Sequence, residues 1–103
     1  MLGFMATYPN SSLAPNAQYW VGMAYSGQRD YKNAISAQRK LLAAWPDNPK
    51  APDAMLKKGY SQIELGERGQ GAATLNAVIN EFPGTEAARL ANTRLRTLSL
   101  QSR

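Results

Sequence analysis

Between Tyr31 and Trp45 the apolar residues fall at Tyr31, Ala34, Ile35, Leu41, Leu42 and Trp45. That is the spacing of one face of a helix with about 3.6 residues per turn. The same face returns further on as Ala72, Leu75, Val78, Ile79 and Phe82. Each of these helices is preceded by another, predicted from Leu13 to about Ser26 and from Lys50 to about Leu65. Ser11 or Ser12, and Asp47 or Asn48, are expected N-caps, and Pro15 and Pro52 stand in first turns, where a missing N–H costs little. Gly27 and Gly66 are expected to stop the first helix of each pair. No stretch alternates with the period of a strand.

The pattern is a repeat. An offset of 37 residues superposes Pro9, Pro46 and Pro83, each behind an aromatic residue, Tyr8, Trp45 or Phe82. The same offset superposes Ala14, Ala51 and Ala88; Ala17, Ala54 and Ala91; Pro15 and Pro52; and Gly22 and Gly59. Phe4, Met5 and Tyr8 then fall on Leu41, Leu42 and Trp45, so the chain is expected to open inside the second helix of a unit. A closing helix is predicted from Thr85 to about Leu100. With its tail it carries Arg89, Arg94, Arg96 and Arg103 against Glu86, an outer face suited to capping a solenoid. The expected fold is all-α: two full helix–turn–helix repeats over 10–46 and 47–83, a partial N-terminal repeat over 1–9, and a C-terminal capping helix over 84–103. An uncovered front edge at Phe4 and Met5 leaves a homo-oligomer or a domain swap open.

Counted from Pro15 and Pro52, the repeats place Gly22 and Gly59 eighth, Ala34 and Gly71 twentieth, and Pro46 and Pro83 thirty-second. This resembles the tetratricopeptide repeat, which has small residues and proline at those places but a period of about 34. The extra residues lie in the link after each proline. The family's usual tryptophan at the fourth place is replaced by Gln18 and Met55, with Trp20 two places later. The stretches from Tyr8-Pro-Asn to Asn16-Ala-Gln-Tyr-Trp-Val-Gly22, from Trp45-Pro-Asp-Asn-Pro to Gly59, and from Phe82-Pro-Gly-Thr-Glu to Ala88 resemble a narrower family. It is that of the C-terminal repeat domain of the Tol-Pal system protein YbgF, the cell division coordinator CpoB, and the resemblance covers about Tyr8 to Leu98. It implies a periplasmic adaptor that binds TolA and links outer-membrane constriction to septal peptidoglycan synthesis, with peptidoglycan synthesis factors as further partners. An outer-membrane assembly lipoprotein of similar repeats and a structural oligomerisation module are the competing readings.

In such folds the first helix of each pair lines the concave side. The resemblance therefore implies a partner groove of Asn16, Tyr19, Trp20 and Met23, with Ser26, on one helix. Asp53, Lys57 and Tyr60, with Leu56 and Ile63, follow on the next, and Arg94, with Leu90 and Thr93, on the last. Aromatic anchors beside polar groups suit an extended peptide or a helix. Trp20 and Tyr19 could instead pack between helices, and Asn16 could serve only the helix start. Tyr25, Trp45 and Phe82 are expected in the core.

Composition adds limits. Twelve Lys and Arg against seven Asp and Glu give a formal charge of +5, which favours acidic partners. Lys57, Lys58, Arg94 and Arg96 are candidates for one basic patch, against a reading as solvated helix faces. The chain has no His and no Cys, which removes the commonest general base, thiol nucleophiles and zinc-type ligand sets. No cofactor, metal site or catalytic residue is expected, because the carboxylates form no convergent pair and no serine has an activating partner. The glycines of Gly66-Glu-Arg-Gly-Gln-Gly71 stand in the reverse order of a dinucleotide fingerprint and follow no strand. Basic residues are spread over many helices without a reader motif, so nucleic acid is not expected. No apolar run approaches the roughly 20 residues that span a bilayer, so no membrane insertion is expected, and the N-terminus does not read as a signal peptide.

Overall fold

The computed structural model describes residues 13–101, which form five helices. We number them α1 (Leu13–Gly27), α2 (Tyr31–Ala44), α3 (Ala51–Glu64), α4 (Arg68–Glu81) and α5 (Glu86–Gln101). The expected all-α repeat is what the chain forms: α1 pairs with α2, α3 with α4, and α5 closes on the second pair. The first-helix series α1, α3 and α5 touch in sequence, whereas α2 and α4 do not touch each other. The five helices form a thin body measuring 48 × 29 × 16 Å. The partial repeat expected at 1–9, its edge at Phe4 and Met5, the caps Ser11 and Ser12, and Arg103 lie outside the described residues.

The offset of 37 residues is visible in the backbone. The helix-ending residues Trp45 (φ −135°, ψ 63°) and Phe82 (φ −130°, ψ 55°) share one conformation, each N–H donating to the carbonyl four residues back. Asp30 and Glu67 share another at the starts of α2 and α4. Asp30 adds a side-chain cap, its carboxylate accepting from the Asn33 N–H at 3.4 Å and from the Asn33 amide at 2.7 Å. Thr85 caps α5, its hydroxyl accepting from the Ala88 N–H at 3.1 Å while donating to the Phe82 carbonyl at 2.7 Å.

Gly66 stops its helix as expected, whereas one expected end and one expected start need correction. Gly27 is the last residue of α1, and the left-handed residue there is Arg29 (φ 62°). In the second repeat the same place belongs to Gly66 (φ 97°). Both turns close alike, the Asp30 N–H on the Tyr25 carbonyl at 2.9 Å and the Glu67 N–H on the Gln62 carbonyl at 2.8 Å. Hydrogen bonding therefore holds Arg29 where glycine would be relaxed. Likewise Asn48 caps a tight turn ahead of α3, its side-chain oxygen accepting from the Lys50 N–H at 2.9 Å and its carbonyl from the Ala51 N–H. The helix starts one residue later than expected, after Lys50, with no side-chain cap of its own.

Packing runs in two clusters. Tyr19, Leu41 and Ala54 join α1, α2 and α3, with Met23, Leu42 and Trp45 against them. Leu56, Leu75, Val78, Ala87, Ala88, Ala91 and Leu98 join α3, α4 and α5. Trp45 is thus core-side as expected, though half-buried, whereas Tyr25 and Phe82, also expected in the core, are half-buried outside both clusters. Within each pair the helices approach through glycine. A Cβ on Gly59 would lie 2.8 Å from the Leu75 Cδ2, and one on Gly22 would overlap the Gln38 amide, Gln38 standing one register before Leu75. A Cβ on Gly71 would strike the Ile63 side chain and lie 3.0 Å from the Gly59 carbonyl oxygen.

Buried glutamines were not foreseen. Gln18 donates to the Ala37 carbonyl at 2.8 Å, and Gln38, only 1 % exposed, donates to the Tyr19 carbonyl at 3.3 Å while its own oxygen has no partner. On α5 the charged residues Glu86, Arg89 and Arg96 are exposed. Arg89 pairs with Glu86 in the open, which contributes little, and Leu100 is 70 % exposed.

The glycine contacts yield a paired test within α4. Gly71→Ala, whose Cβ meets backbone, lowers unfolding free energy by roughly 1–3 kcal/mol. Gly69→Ala, whose Cβ meets open space two residues earlier, raises it by about 0.5–1 kcal/mol. Urea denaturation of both variants checks the pair; equal effects would remove the close-approach argument.

Candidate functional site

The first helices of the units, α1, α3 and α5, form one contiguous series. In the 37-residue register one line crosses all three helices: Trp20, Lys57 and Arg94 occupy equivalent places. Met23, Tyr60 and Thr97 form the next line, one turn along each helix. The structure gathers these residues into two stations.

The first station is aromatic. Tyr19 is packed into the core at 7 % exposure, while Trp20 is 57 % exposed. The two rings meet edge to face, with centroids 5.4 Å apart. The Lys50 Nζ sits 4.8 Å from the Tyr19 ring centre and 5.9 Å from that of Trp20, bridging the start of α3 to α1. Burial pushes the Tyr19 phenol up, and the nearby Asp53 carboxylate pushes it in the same direction. Positive and negative charge thus both act on Tyr19, the ring that Trp20 meets. Of the two readings open for these aromatics, core packing describes Tyr19, whereas Trp20 stays on the surface with its ring oriented.

The second station is cationic. Lys57, on α3, places its Nζ 5.4 Å from the Tyr60 ring centre, and Arg94, on α5, places its guanidinium carbon 5.1 Å from the same centre. Arg94 also reaches Glu64 at 3.6 Å, a partly exposed pair of the weak kind. Burial raises the Tyr60 phenol while the Arg94 charge opposes the rise. Two cations therefore converge on one half-buried ring with one carboxylate beside them.

Not every expected groove residue sits there. Leu56 belongs to the core at 1 % exposure, since its helix position turns it toward Leu75. Ile63 packs on Gly71, and Leu90 lies against the α3–α4–α5 cluster. Met23 is half-buried beside Tyr19, Ser26 is half-buried, and Asn16 is exposed in the first turns of α1. The exposed Thr93 hydroxyl donates to the Arg89 carbonyl at 3.2 Å, within its own helix. The proposed four-residue basic patch divides. Burial lowers the Lys58 ammonium, Arg39 lowers it further and Glu81 opposes, which places Lys58 toward α2 and α4. Arg96 is two residues from Arg94, roughly 200° around the helix, and is exposed on another face.

Lys50 and Glu64 were missed. Glu64 was accessible to the same reasoning, four residues beyond Tyr60 and so on its face. Lys50 was not, because the sequence placed it inside a helix rather than at the turn that aims it back over α1.

Among the described residues no cluster of His, Cys, Asp or Glu could hold a metal ion, and no helix is long and apolar enough to cross a membrane. A family model described as a tetratricopeptide repeat matches residues 16–48 and 53–85, together more than half of the chain. Comparison with curated proteins found no match.

The contrast between neighbouring aromatics can be measured. Tyr19→Ala opens the α1–α2–α3 cluster and costs roughly 2–4 kcal/mol. Trp20→Ala removes mostly solvated surface and stays within about 0.5 kcal/mol. Thermal melts of the two variants check this; equal losses would place Trp20 in the core.

Proposed function

This chain belongs to the tetratricopeptide-repeat family, a family of protein–protein interaction scaffolds, and on that premise we propose that it is a non-catalytic adaptor whose concave face holds a protein partner. The observation that carries the reading is Trp20. A large aromatic ring 57 % exposed, braced by Tyr19 and Lys50, has the form of a binding anchor. Fold alone does not give function, so the weight rests on this side-chain arrangement.

The finer identity we propose is that of a periplasmic adaptor of the Tol-Pal system that binds TolA. In that role it would connect outer-membrane constriction with septal peptidoglycan synthesis, whose factors are its further partners. Support for it is the resemblance to the YbgF/CpoB repeat domain. The Asn16-Ala-Gln-Tyr-Trp-Val-Gly22 stretch that carries the resemblance also contains both aromatics of the first station.

Calorimetric titration with the periplasmic region of TolA at two salt concentrations tests it. Saturable binding is expected, weakened by Trp20→Ala and lessened at higher salt through screening of Lys57 and Arg94. Absence of binding by calorimetry and by a second probe would overturn the TolA assignment. Unchanged binding by Trp20→Ala would overturn the groove.

A further inference from the structure

We infer that the segment this groove accepts is extended and acidic at one end: an apolar or aromatic residue on Trp20, then, about four residues along, a carboxylate between Lys57 and Arg94. The inference rests on the concave-face reading above and specifies the chemistry of what lies there.

Charge decides the polarity of the segment. On Tyr19, beside Trp20, the Lys50 ammonium is opposed by the Asp53 carboxylate, so an acidic side chain gains little at that end. Around Tyr60 two cationic heads lie within 5.4 Å of one ring centre. Among the described residues Glu64 is the one carboxylate in ion-pair reach of either, 3.6 Å from Arg94. Among the described residues Lys57 has no carboxylate within ion-pair distance, so its charge is available to a partner. The ring beneath them is half-buried and removes water from one side, which strengthens a charge-assisted hydrogen bond to an incoming carboxylate.

Geometry decides the spacing. Trp20, Lys57 and Arg94 occupy the same repeat place on three successive helices. Packed helices stand about 8–10 Å apart. Extended backbone advances about 3.3 Å per residue, so one helix step corresponds to about three residues. The midpoint between Lys57 and Arg94 is then four or so residues from the ring of Trp20. A helix laid across the groove would advance only about 1.5 Å per residue and would match a different spacing.

The test uses short serine-based peptides, acetylated and amidated, titrated into the isotope-labelled domain and followed by amide and indole NMR shifts. The lead peptide carries phenylalanine and, about four positions later, glutamate. It is expected to shift the Trp20 indole together with amides around Lys57 and Arg94. Its glutamine counterpart is expected to bind about tenfold more weakly or worse, and Lys57→Met with Arg94→Met is expected to abolish the difference. A glutamine or lysine counterpart binding as well as the glutamate peptide would overturn the inference. So would shifts confined to α2 and α4, or a glutamate one position from the phenylalanine serving equally. The TolA region is titrated in parallel. If TolA binds on the Trp20 face and no acidic peptide does, the acidic segment is wrong and the adaptor reading stands. If neither binds, both fall.

Discussion

The structure depends on how closely paired helices approach each other. Gly59 lets Leu75 of α4 sit against the α3 backbone, Gly22 lets Gln38 of α2 sit against α1, and Gly71 meets Ile63 and the Gly59 carbonyl from the other side. Each pair is held closely by these contacts, and across the pairs α1 touches α3 and α3 touches α5 while α2 and α4 stand apart. Close packing of this kind tolerates little added volume, and the register shows it. Where the second repeat combines large Ile63 with Gly71, the first has Ser26 with Ala34 at the same places. The third member of the Gly22–Gly59 series is Arg96, exposed on α5. The seat that receives α2 and α4 is therefore not repeated on the closing helix.

This explains which parts of the fold could be read from the chain. Period, pairing, the closing helix and the glycines at Gly22, Gly59 and Gly71 all follow from a repeat whose matches fall at packing positions. Gln38 did not, because a polar residue at the place of Leu75 reads as surface. It is buried by the geometry of its neighbours rather than by its own preference, and its unpartnered oxygen is a cost the first repeat carries. Arg29 was hidden for a similar reason, since the hydrogen bonds of the turn outweigh the residue's own preference. For the proposed groove, the resemblance pointed to Trp20, Lys57, Tyr60 and Arg94, of which Trp20 is exposed and the other three meet at one ring, whereas Lys50 depended on a turn whose shape the residues alone do not specify.

The same register gives the concave face its character. A repeat scaffold positions one residue per helix along a line, and the residue at that place differs from one helix of this chain to the next. Here the line changes from an aromatic ring to two cations, with Tyr19 and Tyr60 as the surfaces on which charged heads rest. Each contact is individually weak. Their combined effect is to hold flexible lysine and arginine side chains near fixed positions, so that less freedom is lost when a partner arrives.

The most direct measurement is a crystal structure of this domain bound to the periplasmic region of TolA. The account predicts a TolA segment crossing α1, α3 and α5, in contact with Trp20 and with a carboxylate near Lys57 and Arg94. A partner seated on α2 and α4, with Trp20 still open to solvent, would contradict it.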